Sequence, residues 1–133
     1  MVEPTSEHNR ISGIVVDSAS AVHRALGPGL LETVYEQCLA HELTSRQIRF
    51  VRQFNLPIAY RGVRIEPGLR LDFVVERLVV VELMAVEHIA PIHEAQLLTY
   101  LKLSDHLLGL LINFNVPQME DGVRRIVRAR QIA

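Results

Sequence analysis

The stretch that decides the fold is residues 69–84, which read LRLDFVVERLVVVELM. Its first part alternates apolar and polar side chains, as in a strand with one buried face. From Leu78 the run is apolar on both faces, which is typical of a strand in the middle of a sheet. A tight turn at 76–77 separates the two parts. The stretch therefore predicts two neighbouring antiparallel strands that each carry one acidic residue, Asp72 and Glu82.

The register of these two strands decides whether the two acids meet. A two-residue turn would place Asp72 opposite Val81 and leave Glu82 on the other face. A three-residue connection, or one bulge, would bring Asp72 and Glu82 together, and we expect this odd-length connection because the even one would bury the two charges separately. Two adjacent carboxylates favour a hard divalent cation. The alternative is a buried structural ion pair with Arg70.

Hydrophobic periodicity predicts three helices and three further strands outside this stretch. In chain order they are a helix from 11 to the Gly-Pro-Gly break at 27–29, a helix at about 30–47, a strand at 50–60, a helix from Pro91 to about 103, a buried strand at 107–114 and a short strand at 123–127. Turns are expected at 61–62 and 67–68, where glycine follows arginine or proline. The order predicts an α/β fold with a three-stranded meander, a crossover helix and a return strand.

Length and composition indicate one globular domain. The chain has 133 residues, of which 49% are hydrophobic and 22% charged. We expect a flexible tail at 1–10 and a single domain at 11–133. No apolar run approaches the roughly 20 residues of a membrane span, and no signal core is present, so we expect no membrane partner and a cytoplasmic location. The single cysteine, Cys38, excludes an internal disulfide. The net charge of −1 argues against a protein that holds nucleic acid through a dominant positive field, but it permits a local basic groove.

Two helices carry further candidate site residues. Glu32 lies at the start of the second helix, on the edge of its apolar stripe, with Tyr35 one turn later. Gln96 and Tyr100 are spaced i, i+4 on the third helix, and His93 lies one turn before Gln96. Taken alone, Glu32 is explained as a carboxylate that stabilises the dipole at the start of its helix. The third-helix residues are explained as the flank of a helix that half-faces the sheet.

Several of these pieces occur in the order of a known family. They are Gly29-Leu-Leu-Glu32-Thr-Val-Tyr35, then Asp72, Glu82-Leu-Met84, Gln96-Leu-Leu-Thr-Tyr100 and Gly109-Leu-Leu-Ile-Asn-Phe114. From about residue 11 to 127 the chain resembles the GxxExxY proteins, of the RecB-like branch of the PD-(D/E)XK nuclease superfamily. The resemblance implies a restriction-endonuclease-like mixed sheet with an αβββαβ core, here with an extra N-terminal helix.

The resemblance also implies roles for single residues. Glu32, Asp72, Glu82 and the backbone carbonyl of Leu83 match positions that bind Mg²⁺ or Mn²⁺. Gln96 and Tyr100 match helix positions that support the site and meet the nucleic-acid backbone. DNA is the implied partner.

Met84 departs from the family pattern, which needs a lysine two residues after the second acid. Residues 82 and 84 share a strand face, so a lysine there would orient the attacking water and offset charge on the phosphate. Methionine does neither, and packing in the core explains it best. Arg70 is unable to replace the lysine as a base because it stays protonated. His93 is chemically the better base, although a polar helix-start residue is the simpler interpretation.

Three hypotheses for function follow. The first is a metal-dependent DNA nuclease with hydrolysis impaired by Met84. The second is an inactive relative that only binds nucleic acid or protein, and the third is a structural or homo-oligomeric domain. We interpret the arginines at 124, 125, 128 and 130 as a solvated edge strand and tail and not as a DNA contact.

Overall fold

The computed structural model describes residues 2–129, and its elements follow the predicted order. They are α1 (Ser6–Leu26), α2 (Glu32–Ser45), β1 (Phe50–Tyr60), β2 (Val63–Val75), β3 (Val79–Met84), α3 (Pro91–Ser104), β4 (Leu108–Asn113), a 3-10 helix (Met119–Gly122) and β5 (Val123–Val127). Within these residues no helix is both long and apolar enough to cross a membrane.

The five strands form one mixed sheet in the order β1-β2-β3-β4-β5. Neighbouring strands are antiparallel except β3 and β4, which are parallel. A parallel pair needs a long connection, and α3 supplies it. The predicted α/β fold, with its restriction-endonuclease-like mixed sheet, is confirmed.

The connection between β2 and β3 has an odd length, as predicted. Phe73 pairs with Val81 and Val75 pairs with Val79, which leaves the three residues 76–78 between the strands. Continuing this register by one residue places Asp72 opposite Glu82. The two acids therefore meet where the sequence argument requires.

Each face of the sheet packs against a different set of helices. On one face α1 and α2 cover the larger core, whose fully buried members include Ile11, Tyr35, Leu39, Leu43, Phe73, Leu110 and Phe114. On the other face α3 covers a smaller core of Leu71, Val74, Val80, Met84, Leu97, Leu101 and Leu111. A Cβ atom on Gly109 would lie 3.0–3.1 Å from the Leu97 and Leu101 side chains, so this glycine lets α3 approach β4 closely.

The N-terminal tail was predicted too long, because α1 begins at Ser6. The Thr5 side chain accepts the backbone N–H of His8, and the His8 ring accepts the N–H of Thr5 at 3.1 Å. This capping box uses imidazole where Glu or Gln is usual, so its sequence signal was missed. His8 is also buried, which ties the first turn to the protein. The end of the predicted domain, 130–133, lies outside the described residues, and the single domain stays a prediction.

The predicted turn at 67–68 is wrong, because β2 begins at Val63 and runs through it. The β1–β2 ladder shifts register there, between Leu56 and Ile58. A Cβ atom on Gly68 would lie 2.3 Å from the Leu56 carbonyl oxygen, so glycine is required for the close approach of the two strands. The hairpin reverses at 61–62, where the other turn was predicted.

Candidate active site

Asp72 and Glu82 lie side by side where β2 and β3 separate. Their ladder ends at Phe73 and Val81, and two side-chain bonds continue it. The N–H of Asp72 donates to Glu82 Oε2 at 2.7 Å, and the N–H of Leu83 donates to Asp72 Oδ2 at 2.9 Å. Each carboxylate thus satisfies a backbone donor that the parting strands would otherwise leave unpaired.

The Asp72–Glu82 pair has no cationic side chain bound to it among the residues that the structure describes. The ion pair with Arg70 that we considered from sequence is therefore not formed. Arg70 does lower the pKa of Asp72 by its charge, but this effect is smaller than that of burial.

Strand β2 changes its side-chain alternation at Asp72. Phe73 packs in the core under α1 and α2, whereas Leu71, only two residues away, packs in the core under α3. Opposite Asp72, Gln53 of β1 has a φ of 52° and is skipped by the ladder, which pairs the residues on either side of it. Such an irregularity re-aims side chains near it, and here it accompanies the rotation of β2 at the acid.

Glu32 is the first residue of α2 and is exposed. Tyr35, one turn later, is fully buried: its hydroxyl donates to the Gly27 carbonyl at 2.6 Å and accepts the Leu30 N–H at 3.1 Å. Its ring stacks on Phe114 with 4.4 Å between the ring centroids. Tyr35 therefore fixes the Gly-Pro-Gly loop and the point at which α2 presents Glu32.

One pocket of about 240 Å³ brings the predicted site residues together. It lies beside α3, where β2 and β3 separate. It is lined by Glu32, Asp72, Glu82, Leu83, Met84, Val86, His93, Gln96, Leu97, Tyr100 and Leu111. Every residue proposed for the site from sequence lies in this lining, whereas Arg70 does not.

Gln96 and Tyr100 act as a linked pair on α3. The side-chain amide of Gln96 donates to the Tyr100 hydroxyl oxygen at 2.5 Å. The hydroxyl hydrogen of Tyr100 and the amide oxygen of Gln96 make no other bond to a described residue. The pair therefore offers two donors, the Tyr100 hydroxyl hydrogen and the second Gln96 amide N–H, together with the Gln96 amide oxygen as an acceptor.

His93 lines the pocket but is used as a cap. Its Nδ1 accepts the Ala90 N–H at 2.9 Å, which closes the first turn of α3. A ring nitrogen that accepts a hydrogen bond has no proton, so the neutral ring carries its hydrogen on Nε2. In this state His93 offers a donor and not a base. The helix-start interpretation is confirmed.

Burial and nearby negative charge raise the pKa of all three acids. Burial, followed by the charge of Asp72, raises the pKa of Glu82 to about 8. Burial also raises the pKa of Asp72, against the opposing effect of the Leu83 N–H. For Glu32 the pKa is raised by burial first and then by Asp72. Close carboxylates with raised pKa values are a frequent mark of a functional site.

A comparison with protein families decides what this fold is. The family model described as the PD-(D/E)XK nuclease superfamily matches residues 9–126, which is most of the chain. The chain belongs to this superfamily. No curated protein and no solved structure matches it significantly.

Met84, which we predicted to lie at the position of the motif lysine, is an apolar side chain of this PD-(D/E)XK domain. Met84 is 9% exposed and packs in the smaller core with Leu97 and Leu111. It also forms part of the pocket wall. Among residues 2–129, the pocket lining includes no lysine or arginine.

The backbone of Leu83 points toward the acids. The Met84 carbonyl accepts the Phe114 N–H from the β4 side. Alternate residues of a strand direct their backbone groups to opposite sides, so the Leu83 carbonyl faces β2, as its N–H does in bonding Asp72. The Leu83 carbonyl thus lies on the same side of β3 as Asp72, and its role as a metal ligand stays a prediction.

The superfamily implies a divalent metal. The oxygen atoms at the site are of the kind that binds such a metal, but their positions do not form a complete ligand set. Carboxylate and carbonyl oxygens are the ligands that Mg²⁺ and Mn²⁺ prefer. Among residues 2–129, however, no three His, Cys, Asp or Glu side chains converge closely enough to hold an ion. Asp72 and Glu82 are already adjacent. To complete a set of three carboxylate ligands, the exposed Glu32 side chain would have to move toward them.

The sequence argument missed Glu36, a fourth carboxylate one turn after Glu32. Glu36 accepts hydrogen bonds from Arg52, at 2.8 Å, and from the Gln53 amide. Its charge helps to raise the pKa of Glu32, Asp72 and Glu82. The i, i+4 spacing from Glu32 was the available signal. Glu36 joins α2 to the irregular part of β1.

The sequence argument also missed Asn113, the buried last residue of β4. Its amide oxygen accepts the Val86 N–H at 3.0 Å, and its amide nitrogen donates to the Val86 carbonyl at 2.9 Å. These two bonds hold the segment that links β3 to α3, and so they help to place the α3 residues over the pocket.

The C-terminal arginines that the structure describes, Arg124, Arg125 and Arg128, do not line the pocket. Arg124 and Arg125 are exposed, and Arg125 donates to Asn9 at 2.6 Å. Arg128 is an exception to the expected solvated run: it donates to the His106 carbonyl and to Asp105, both at 2.9 Å, and anchors the end of β5. The fourth predicted member, Arg130, lies outside the described residues.

Proposed function

We propose that this chain is a metal-dependent nuclease domain acting on DNA phosphodiesters, with hydrolysis slowed by Met84. The observation that carries the proposal is the Asp72–Glu82 pair. The two carboxylates are adjacent and lack a cationic partner among residues 2–129, and each keeps one oxygen without a hydrogen bond to those residues. Burying two acids in this way is costly unless a ligand of opposite charge binds there.

Glu32, Asp72, Glu82 and the Leu83 carbonyl would hold Mg²⁺ or Mn²⁺, which when bound supplies Lewis-acid polarisation of the scissile phosphate. The protein's own part is to fix Asp72 and Glu82 through the Leu83 and Asp72 N–H groups. Tyr35 sets the start of α2, so that Glu32 lies at the rim of the pocket.

The α3 residues orient the DNA backbone in this proposal. Tyr100 donates its hydroxyl hydrogen to a phosphate oxygen, while Gln96 holds that hydroxyl in place. His93 supplies a second donor from Nε2, because its Nδ1 is occupied by the α3 cap. Donors fixed before the substrate arrives stabilise charge that develops on the phosphate.

Met84 limits the rate. A thioether neither accepts a proton at neutral pH nor carries positive charge. General-base assistance contributes about 10²–10⁴-fold to such reactions, and its absence is expected to cost a comparable factor. The finer assignment to the GxxExxY proteins of the RecB-like branch rests on the motif order from Glu32 to Tyr100, and it is part of this proposal.

A second candidate is a relative that binds DNA or protein without cutting. The buried, well-packed Met84 favours it, as does the incomplete convergence of the acids. In this case the pocket would retain its shape and its acids but not catalysis.

Cleavage assays separate the two candidates. Labelled single- and double-stranded DNA is incubated with Mn²⁺ and with Mg²⁺, using the natural chain, Met84→Lys and Asp72→Asn. The nuclease proposal predicts slow cleavage by the natural chain, faster cleavage by Met84→Lys and none by Asp72→Asn. No cleavage by the natural chain, with activity in Met84→Lys alone, would establish the second candidate. Silence in both would remove the nuclease proposal.

A further inference from the structure

The β1–β2 hairpin extends far beyond the sheet. β3 pairs with β2 only at residues 73–75, so the rest of β2 pairs with β1 alone. We call residues 54–71 the arm. Leu71, at its base, packs in the smaller core, so the projecting β2 part is residues 63–68. At about 3.3 Å per strand residue this part spans roughly 17–20 Å. The arm begins directly beside Asp72, so a polymer that enters the pocket passes close to it.

The arm is positively charged in a chain whose net charge is −1. It contains three exposed arginines, Arg61, Arg64 and Arg70, against a single acid, Glu66. Arg64 contacts Glu66 at 3.1 Å. Arg70 makes no salt bridge to any of residues 2–129, and it is the arginine nearest to Asp72 along β2. The charge of the arm therefore complements an anionic polymer and opposes that of the acidic pocket.

The tip of the arm adds an exposed aromatic and apolar surface. Tyr60 is 62% exposed, and the Arg61 guanidinium lies 5.4 Å from its ring centroid. Val63, which is directly opposite Tyr60, and the nearby Ile65 are exposed as well. Arginines beside an exposed aromatic ring are the combination that binds unpaired nucleotides, with phosphates on the cations and bases on the ring.

The shape of the arm is set by its sequence. The register shift between Leu56 and Ile58 bends a hairpin, and Gly68 permits the close contact at that point.

We propose that the arm binds single-stranded DNA and holds the strand that runs through the pocket. Its arginines contact the phosphates, and Tyr60 stacks on an unpaired base. The proposal rests on the nuclease function proposed above and assigns its substrate: a strand with unpaired bases next to the scissile bond.

Fluorescence anisotropy tests the arm apart from catalysis. A labelled 20-nucleotide single strand and the matching blunt duplex are titrated in EDTA, which prevents cleavage. The arm variant combines Tyr60→Val, Arg61→Asn and Arg64→Gln. Asparagine before Gly62 tolerates the positive φ of 49° at position 61, so the hairpin turn is retained. The control, Arg10→Gln with Arg46→Gln, removes the same charge from exposed helix positions.

We expect the natural chain to prefer the single strand and the arm variant to bind it at least tenfold more weakly. The slope of log affinity against log salt should fall by about 1.4, since two phosphate contacts are lost. The control should change affinity less than twofold. Circular dichroism and thermal unfolding verify that each variant is folded.

The remaining outcomes overturn the proposal in distinguishable ways. If the arm variant binds like the natural chain, and the natural chain still cleaves DNA in Mn²⁺, the arm proposal fails and the nuclease proposal stands. If the natural chain neither binds nor cleaves, both fail. A dimer in sedimentation that the arm variant converts to monomers, with DNA binding unchanged, would assign the arm to a second copy of this chain.

Discussion

The two faces of the sheet bury different kinds of side chain, although neighbouring residues of the same strands form both. The face under α1 and α2 is closed, and it buries aliphatic side chains with the Tyr35–Phe114 stack. The face under α3 buries fewer apolar residues and opens into the pocket with its acids. The difference indicates that apolar packing on the closed face offsets the cost of burying carboxylates at the edge of the other face. At that edge the separating strands supply backbone N–H donors to the carboxylates.

Adjacent leucines on β4 give the sharpest test of this comparison. Leu110 points into the closed core, and Leu111 points into the smaller core beside the pocket. We expect Leu110→Ala to lower the free energy of unfolding by about 4 kcal/mol and Leu111→Ala by about 2 kcal/mol, because the pocket side has less packing to lose. Urea denaturation measures both. Equal losses, or a larger loss for Leu111→Ala, would break the comparison.

The acids should make the natural chain less stable as pH rises. The pKa of Glu82 is raised to about 8 in the folded protein, from 4.5. The folded state therefore binds the proton more tightly, and this stabilisation is full below pH 4.5 and is lost as pH rises through 8. Glu82→Gln should remove most of this dependence and raise stability at pH 9 by on the order of 3 kcal/mol. Denaturation at pH 5, 7 and 9 checks the sign, and identical pH profiles would contradict it.

The smallest expected changes in stability come from removing the hydroxyl group of one of two tyrosines. Tyr35→Phe removes the hydroxyl that bonds Gly27 and Leu30, and should cost about 1–2 kcal/mol of stability. Tyr100→Phe removes a hydroxyl at the edge of the pocket and should cost less than about 0.5 kcal/mol. Thermal unfolding compares the two. A larger loss for Tyr100→Phe would mean that the pocket face, and not the Tyr35 loop, fixes the fold.

Much of the frame was predictable because it depends on local periodicity. The order of elements follows from hydrophobic periodicity and turn signals. The odd connection at 76–78, and with it the meeting of Asp72 and Glu82, follows from the cost of burying the two charges separately. Gln96 and Tyr100 share a helix face by spacing alone. These rules act between residues close in sequence, so one chain suffices to apply them.

The remaining features depend on departures from regular geometry. The rotation of β2 at Asp72 breaks the alternation on which strand assignment rests, and the positive φ of Gln53 has no marker in sequence. Whether His93 acts as a base depends on which ring nitrogen the Ala90 N–H meets, and this is a matter of three-dimensional position. The length of the arm was missed because Pro67-Gly68, typical of a turn, here marks a register shift.

Calorimetric titration of Mn²⁺ at pH 7 in two buffers of different ionisation enthalpy tests the central claim, that Asp72 and Glu82 are built to bind a cation. We predict one site, with release of up to about one proton per ion because Glu82 is largely protonated beforehand. Binding should be lost in Asp72→Asn. The absence of binding by the natural chain, or equal binding by Asp72→Asn, would contradict the account.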